Sequence, residues 1–302
     1  MRLGDRHYDL TSRALVMGIL NRTPDSFYDR GSYWDLDGFF RRAEQLVANG
    51  ADLLDVGGVK AGPGPEVTEP EELDRVVGAI EALHQRFAPL PLSVDTWRAS
   101  VAQAAYQAGA VMGNDISGFA DPDYLPVAAE AGATVVATHI RLAPRVADPE
   151  PRYDDVVAEV GAFLADRARR AEVAGVAPDR IVLDAGLDLG KTAAQSLNLL
   201  RASDRLVAEG YPVLLSASNK SFLGKVLDLE IDQRGSASLA AAALGVSLGC
   251  RIVRAHDVLG TRRVCDVLAA IMEAPPTPTE DESARRERPP RGQAPVVGVG
   301  TP

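Results

Sequence analysis

Cysteine is scarce in this chain of 302 residues, which contains only Cys250 and Cys265. Neither belongs to a CxxC or Cys/His pattern, so we interpret both as reduced, structural residues. Long apolar runs are lacking too, since no stretch reaches the roughly 20 residues that a membrane span needs. The first ten residues, MRLGDRHYDL, have no apolar core of the kind found in signal peptides. Together these absences predict a cytoplasmic protein without a membrane segment.

The sequence also lacks an excess of positive charge. Its 42 acidic residues outnumber 32 basic ones, which gives a formal net charge of −10. This balance argues against nucleic acid or an anionic membrane as a partner. The basic side chains that are present are therefore available to bind a small anion in a cleft.

Apolar strand-like runs alternate with helical patterns through the body of the chain. Several runs are continuously apolar, which is typical of parallel strands covered on both faces. Eight strands alternating with helices predict a single eight-stranded parallel α/β barrel, the TIM-barrel class. A doubly wound open sheet is the alternative. The predicted strands are residues 14–20, 53–57, 91–95, 111–115, 133–139, 180–184, 212–217 and 251–256.

The helical patterns and the composition divide the chain into three parts. Residues 1–13 are predicted to form a plug or hairpin at one end of the barrel, and residues 14–273 the barrel itself. Residues 274–302 are rich in proline and mixed charge, so we expect a disordered tail. Two predicted helices run from Leu36 to Gly50 and from Val156 to Gly175. The other predicted helices cover residues 70–86, 96–108, 122–131, 193–209, 236–248 and 261–272.

Every predicted strand ends in polar or charged residues, at the edge where barrels of this class build their active sites. Taken singly, such a residue is typical of a helix cap, and we interpret Thr96, Asp115 and Asp257 in this way. The full set exceeds what capping requires and predicts a converging site. Its members are Asn21, Asp55, Asp95, Asn114, His139, Asp184, Lys220 with Ser221, and Arg254 with His256.

The residue types indicate the kind of ligand. Carboxylates and an amide on the middle strands match the donors and acceptors of a flat heterocycle, whereas the cations of the last two strands match a phosphate or pyrophosphate. Asn21 offers an oxygen to a metal or a donor to a phosphate. Residues 186–192 resemble a Walker A loop, but only three residues separate the two glycines where that motif needs four, so a nucleotide P-loop is not predicted.

Seven sequence blocks, in order, resemble the dihydropteroate synthase family of folate biosynthesis. The first is MGILNRTPDSFYDRG at residues 17–31, and the resemblance extends from about residue 14 to residue 273. It implies an α/β barrel and a homodimer. The other blocks are LLDVGG, LSVDT, GNDISG, LDAGLDLGKT, SNKSFLG and RAHDV.

The resemblance also implies a reaction and a Mg²⁺ cofactor. In the family, pyrophosphate leaves a dihydropterin, and the amine of p-aminobenzoate attacks the delocalised cation that remains; sulfa-type compounds are analogues of this second substrate. Mg²⁺ bridges Asn21 and the phosphates. The implied catalytic residues are Asp29, Asp95, Lys220 and Arg254. The implied substrate-binding residues are Asn21, Asp95, Asn114, Asp184, Lys220, Ser221, Arg254 and His256.

This sequence departs from the family pattern mainly around the second substrate. The family has Gly-Gly-Glu-Ser-Thr-Arg-Pro-Gly where residues 57–64 read GGVKAGPG, so the Thr and Arg of the p-aminobenzoate pocket are replaced. Leu189 stands in place of a Phe of that pocket, Asn219 in place of an Arg and Ala185 in place of a Pro.

These replacements predict a divergent paralogue that keeps its pterin and anion pocket but has weak or lost synthase activity. The alternative hypothesis is an active synthase whose altered loop still closes over its substrate. Two further hypotheses are a transferase that uses another amine and a non-catalytic barrel that pairs with an active relative.

Overall fold

A computed structural model describes residues 1–22 and 36–275 of the chain. The predicted catalytic residue Asp29 lies outside these residues, and so does nearly all of the predicted tail.

Eight parallel strands close into a barrel. A two-stranded antiparallel hairpin precedes it, formed by β1 (Arg2–Leu3) and β2 (Arg6–His7). Strand β3 follows, and the barrel order is β10-β3-β4-β5-β6-β7-β8-β9. The predicted barrel is confirmed and the open sheet is wrong. The barrel strands are β3 (Leu15–Asn21), β4 (Leu53–Gly57), β5 (Leu92–Asp95), β6 (Met112–Asp115), β7 (Thr134–Thr138), β8 (Ile181–Asp184), β9 (Val213–Leu215) and β10 (Ile252–Ala255).

Ten α-helices cover the outside of the barrel within the described residues. They bury apolar faces against the strands, and no helix in this part of the chain is both long and apolar enough to cross a membrane. The helices are α1 (Leu36–Ala48), α2 (Glu69–Phe87), α3 (Ala99–Gln107), α4 (Tyr124–Glu130), α5 (Val156–Val173), α6 (Ala193–Arg201), α7 (Ser203–Val207), α8 (Ser221–Leu227), α9 (Gly235–Ser247) and α10 (Val258–Glu273).

Two features of the helical layer differ from the prediction. The single helix predicted for residues 193–209 is broken at Ala202, and the hydroxyl of Ser203 donates a hydrogen bond to the Leu200 carbonyl (2.8 Å), an alternative to helix continuation. The short helix α8 was not predicted. It begins directly after Lys220 and ends at Leu227, and the next residue, Asp228, has a φ of +53° in the left-handed region.

The three residues interpreted as helix caps behave differently from one another. Asp257 does cap α10, since its carboxylate accepts a hydrogen bond from the Gly260 amide (2.9 Å). The cap interpretation is wrong for Asp115, which accepts from the amides of Ser117 and Phe119 well before α4 begins. It is also wrong for Thr96, whose hydroxyl donates to the buried carboxylate of Glu72 (2.6 Å).

The barrel interior has an apolar floor and a polar layer above it. The floor residues on six strands are Leu53, Met112, Val136, Val182, Leu214 and Ile252. Because alternate residues of a strand point to the same face, the residues two positions further along each strand also point into the barrel. Those residues are Asp55, Asn114, Thr138, Asp184, Ser216 and Arg254.

The hairpin covers the opposite end of the barrel. Leu3 is buried in the floor cluster, and the carbonyls of Arg2 and Gly4 accept hydrogen bonds from the Thr134 hydroxyl (2.5 Å) and the Arg180 guanidinium (2.9 Å). The polar layer therefore opens at the carboxyl ends of the strands.

Candidate active site

Arg254 lies at the centre of the polar layer, between two carboxylates. Its Nε donates to Oδ2 of Asp55 (2.6 Å) and its Nη2 donates to Oδ2 of Asp95 (2.8 Å). The amide nitrogen of Asn114 donates to the same Asp55 oxygen (3.2 Å). These bonds fix the guanidinium plane and the Asn114 amide relative to one another, although β4, β5, β6 and β10 are distant along the chain.

Asp55 belongs to the predicted strand-end set, but the resemblance assigned it neither a catalytic nor a substrate-binding role. It is fully buried and accepts from both Arg254 and Asn114, so it positions two predicted ligand-binding side chains. Its other oxygen, Oδ1, has no hydrogen-bond partner among the described residues, although buried carboxylate oxygens are normally satisfied. The signal in the sequence was its position, two residues beyond the apolar Leu53 on an inward-facing strand.

Burial sets the electrostatics of this cluster. It raises the pKa of Asp95 to about 7, although Arg254 acts to lower it; Asp55 adds to the increase. One guanidinium shared by two buried carboxylates leaves the group with an excess of negative charge, which favours retention of a proton near neutral pH.

Asp184 and Lys220 form the neighbouring part of the site. Burial raises the pKa of Asp184, an effect that Lys220 opposes, and burial lowers the pKa of Lys220, an effect that Asp184 opposes. Asp184 accepts a hydrogen bond from the Gly186 amide (2.7 Å), and Lys220 donates to the Leu187 carbonyl (2.6 Å). Both side chains are thus held by the loop that follows β8.

This β8 loop, residues 185–191, is attached to the start of α8 and to the end of β7. Asp188 accepts hydrogen bonds from the amides of Ser221 and Phe222. Gly186 has a φ of +64°, and a Cβ there would lie 1.9 Å from the His139 carbonyl oxygen, so only glycine fits.

Lys191 holds the β8 loop in place through its side chain. Its buried Nζ contacts Nδ1 of His139 (2.9 Å) and donates to the carbonyls of Gly186 (2.8 Å), Leu189 (3.0 Å) and His139 itself (3.2 Å). Burial lowers the pKa of Lys191 to about 7 and that of His139 to about 3. Nearby cations act in the same direction, Lys220 on Lys191 and Lys191 on His139. The lysine of the Walker A look-alike is therefore engaged with protein atoms.

Asn21 and Asp95 present oxygens on the same side of Gly57. A Cβ at Gly57 would lie only 3.2 Å from Oδ1 of Asn21 and 3.4 Å from Oδ2 of Asp95, so the missing side chain lets both oxygens lie against the end of β4. Residues 1–22 and 36–275 contain no group of three or more His, Cys, Asp or Glu able to hold a metal by themselves. Two oxygens from neighbouring strands would suit Mg²⁺, which binds through few protein oxygens together with water and substrate phosphates.

His256 and Ser221 lie at the exposed rim of the site. The Ser218 hydroxyl contacts Nδ1 of His256 (3.0 Å) and accepts a hydrogen bond from its backbone amide (3.1 Å), while Arg42 donates to the His256 carbonyl (2.8 Å). The described part of the chain thus places all the predicted site residues other than Asp29 at this one end of the barrel.

The loop after β4, residues 57–64, forms one wall beside the site. Val59 is buried, whereas the replaced positions Ala61 and Gly62 line a cavity of about 150 Å³ together with Leu189. A Cβ at Gly62 would have no atom of residues 1–22 and 36–275 within 4 Å, so this part of the chain leaves the position open.

A closed parallel barrel with charged side chains gathered at its strand ends belongs to the class of barrels that bind and convert small molecules there. Residues 17–256 match the family described as "Pterin binding enzyme". The chain is 45% identical over 277 residues to "Inactive dihydropteroate synthase 2" of Mycobacterium leprae, covering 88% of this chain and 94% of that protein. It is 40% identical over 272 residues to the dihydropteroate synthase of a Synechocystis species, covering 89% of this chain and 94% of that protein.

A solved structure agrees with these matches. The Yersinia pestis dihydropteroate synthase with a sulfonamide drug complex superposes with a TM-score of 0.85 at 38% identity, covering 91% of this chain and 99% of that one. The chain therefore belongs to the dihydropteroate synthase family, as its seven sequence blocks predicted.

Proposed function

We propose that this protein binds a 6-hydroxymethyl-7,8-dihydropterin pyrophosphate and has weak or lost synthase activity with p-aminobenzoate. The observation that carries the proposal is a contrast. The buried cluster of Asp55, Asp95, Asn114 and Arg254 is complete and hydrogen-bonded, whereas the loop at residues 57–64 lacks the family's polar side chains.

The flat pterin has the hydrogen-bonding groups that the polar layer can satisfy. Its ring edge meets acceptors from the carboxylates of Asp95 and Asp184 and both an acceptor and a donor from the Asn114 amide. Lys220 adds a donor, and the Arg254 guanidinium stacks on the ring. Oδ1 of Asp55, which has no partner within the structurally described ranges, lies in the same cluster and provides a further acceptor. The hydrogen bonds from the carboxylates and from Lys220 are charge-assisted, a kind of hydrogen bond about twice as strong as a neutral one.

The pyrophosphate is bound by the cationic side of the site. Arg254 and His256 meet its oxygens, Ser221 contributes from the rim, and Asn21 would hold Mg²⁺ through its amide oxygen. When bound, the ion supplies charge neutralisation to the leaving pyrophosphate.

The chain's own carboxylates stabilise the charge that develops on the pterin. As the bond to pyrophosphate breaks, its electron pair leaves with the pyrophosphate and positive charge spreads over the methylene and ring. Asp95 stabilises this charge electrostatically. The proposed role of Asp29 is the same, and that residue lies outside the described residues.

Incubation of the chain with the dihydropterin pyrophosphate, Mg²⁺ and p-aminobenzoate should release pyrophosphate slowly, in at least about twofold excess over dihydropteroate. The expected excess arises because water captures a cation that the altered second-substrate pocket does not direct to the amine. Parallel measurement of pyrophosphate and dihydropteroate tests this expectation. Equal amounts, formed at the rate of an ordinary synthase, would instead identify an active synthase, the alternative function of this site.

The Asp184→Asn variant tests pterin binding separately from synthase activity. The variant keeps the shape of the side chain but replaces a charge-assisted bond by a neutral one, so pterin affinity measured by calorimetry should fall about tenfold. Unchanged affinity would mean that Asp184 does not contact the ligand.

We also propose that the chain is a cytoplasmic homodimer that pairs through α9 and α10. Val267 and Ile271 lie four residues apart on α10 and are exposed by 60% and 64%, and Leu244 of α9 is exposed by 44%. Exposed apolar side chains grouped in this way are typical of a protein interface.

Light scattering should therefore give a mass of twice 32.0 kDa for the wild-type chain and a monomer for Val267→Asp/Ile271→Asp. Val173→Asp on α5 is the matched control, because Val173 is 90% exposed on a different helix. A monomeric wild-type chain would refute the pairing.

A further inference from the structure

Arg145 reaches across from the connection between β7 and α5 to the loop at residues 57–64. Its Nη1 donates to the Lys60 carbonyl (3.1 Å), its Nη2 donates to the Pro65 carbonyl, and its backbone amide donates to the Ala61 carbonyl (3.0 Å). One residue thus ties together both ends of the loop segment in which this sequence departs from its family.

The backbone at Arg145 is held in an uncommon conformation. Its φ of +67° lies in the left-handed region, where a side chain other than glycine or asparagine costs of order 1 kcal/mol. The three hydrogen bonds to the neighbouring loop offset that cost. Held in this way, Arg145 lines the cavity beside Ala61 and Gly62.

The charge of Arg145 is not neutralised by a carboxylate of the described residues. Within the described residues, its side chain donates hydrogen bonds only to carbonyl oxygens. Two carboxylates do line the same 150 Å³ cavity, but each has other partners: Asp148 forms a bidentate pair with Arg141, and Asp188 accepts from the amides of Ser221 and Phe222.

We propose that Arg145 supplies the cation that binds the carboxylate of the second substrate, in place of the arginine that this chain lacks at Gly62. The inference rests on the proposed function and specifies its acceptor: a small arylamine that carries an anionic group. Gly62 leaves the space that an arginine of its own loop would fill, and the cavity joins the β8 loop at Leu189. A planar guanidinium can bind a carboxylate through paired hydrogen bonds.

The test compares a charged ligand with a neutral one of the same shape. The full chain, saturated with 6-hydroxymethylpterin and magnesium pyrophosphate, is titrated with p-aminobenzoate and with 4-aminobenzamide, and both titrations are repeated without the pterin. Arg145→Ala should weaken p-aminobenzoate about tenfold relative to the amide, because the lost contact depends on the ligand's charge. Arg145→Lys should recover part of this preference as a point charge.

Arg152→Ala is the matched control. Arg152 belongs to the same connection, is 85% exposed and pairs only with Glu150 among the described residues, so its loss should change neither ligand's affinity. Equal weakening of both ligands by Arg145→Ala would reduce Arg145 to a support for the loop and overturn the inference. Failure of the wild-type chain to bind p-aminobenzoate at millimolar concentration would overturn it as well. Failure of the wild-type chain to bind 6-hydroxymethylpterin, by contrast, would refute the proposed function itself.

Discussion

Replacement of Arg254 by methionine should lower the free energy of unfolding by about 3 kcal/mol at pH 8 and abolish pterin binding. The substitution keeps much of the side-chain volume but leaves Oδ2 of Asp55 and Oδ2 of Asp95 without their shared donor. Removal of one partner from a buried ion pair costs about 3–5 kcal/mol, because the remaining charge stays buried and unpaired. Chemical denaturation gives the stability, and calorimetry gives the pterin affinity.

The destabilisation should depend on pH, and its sign follows from Asp95. The pKa of Asp95 in the folded chain is about 7, above the ordinary value of 3.8. The folded state therefore binds more protons than the unfolded state between these values, and stability contributed by Asp95 falls as pH rises through this window. Because Arg254 lowers this pKa, its loss extends the window to higher pH. The stability difference between wild type and Arg254→Met should accordingly grow between pH 6 and pH 9.

Two further variants separate this effect from a general loss of packing. Asp95→Asn in the Arg254→Met background removes the titrating carboxyl, so the additional pH dependence should disappear. Arg180→Met, at the hairpin end of the barrel, removes a guanidinium that donates to the Gly4 carbonyl, and pterin affinity should be unchanged. A pH-independent difference in stability for Arg254→Met would show that Asp95 does not depend on Arg254 for its charge.

The barrel could be predicted from the sequence because its strands are continuously apolar and short. The run at residues 53–57 corresponds to β4 without any change of bounds, and the other strands differ only at their ends. The break at Ala202 could not be predicted, because the apolar spacing continues through it and the Ser203 hydroxyl bond decides the local geometry. Helix α8 is short and begins within a sequence block that reads as a binding loop.

The site could be predicted as a set of strand-end residues but not as a network. Asn114 and Arg254 were expected to face a common ligand, whereas their shared dependence on Asp55 requires the closed barrel that brings β4 between β3 and β5. The contact of Arg145 with residues 60–65 joins two loops about 80 residues apart. No periodic pattern encodes such a contact, since it depends on where each loop leaves the barrel.

Restoration of the family's side chains at two positions, Ala61→Thr with Gly62→Arg, should raise the rate of dihydropteroate formation by about 30-fold or more. The two replacements return one neutral and one charge-assisted hydrogen bond, together about 2–4 kcal/mol of acceptor binding, or roughly 30- to 1,000-fold. The loop can accept them, because a Cβ at Gly62 meets no atom of the described part of the chain within 4 Å and Ala61 lines the adjacent cavity. The measurement is dihydropteroate formed per pyrophosphate released.

The ratio of the two products distinguishes a restored acceptor pocket from a general activation. If the loop is responsible for the weak coupling, dihydropteroate should rise toward the amount of pyrophosphate, while pterin affinity stays constant because no residue of the buried cluster has changed. No gain from the double variant would place the defect at Leu189 or Asn219 instead. A gain in pyrophosphate release without dihydropteroate would contradict a role of the loop in binding the acceptor.

The restored loop also reveals whether Arg145 and an arginine at position 62 act on the same ligand group. Both side chains would then offer a guanidinium to one carboxylate, so their contributions to p-aminobenzoate affinity should not be additive. Arg145→Ala is expected to cost about tenfold in the natural chain and less than threefold in the Ala61→Thr/Gly62→Arg background. Equal losses in the two backgrounds would mean that the two arginines bind separate groups. Because Arg145 also ties down the loop through the carbonyls of Lys60 and Pro65, the same titrations with 4-aminobenzamide measure that supporting role by itself.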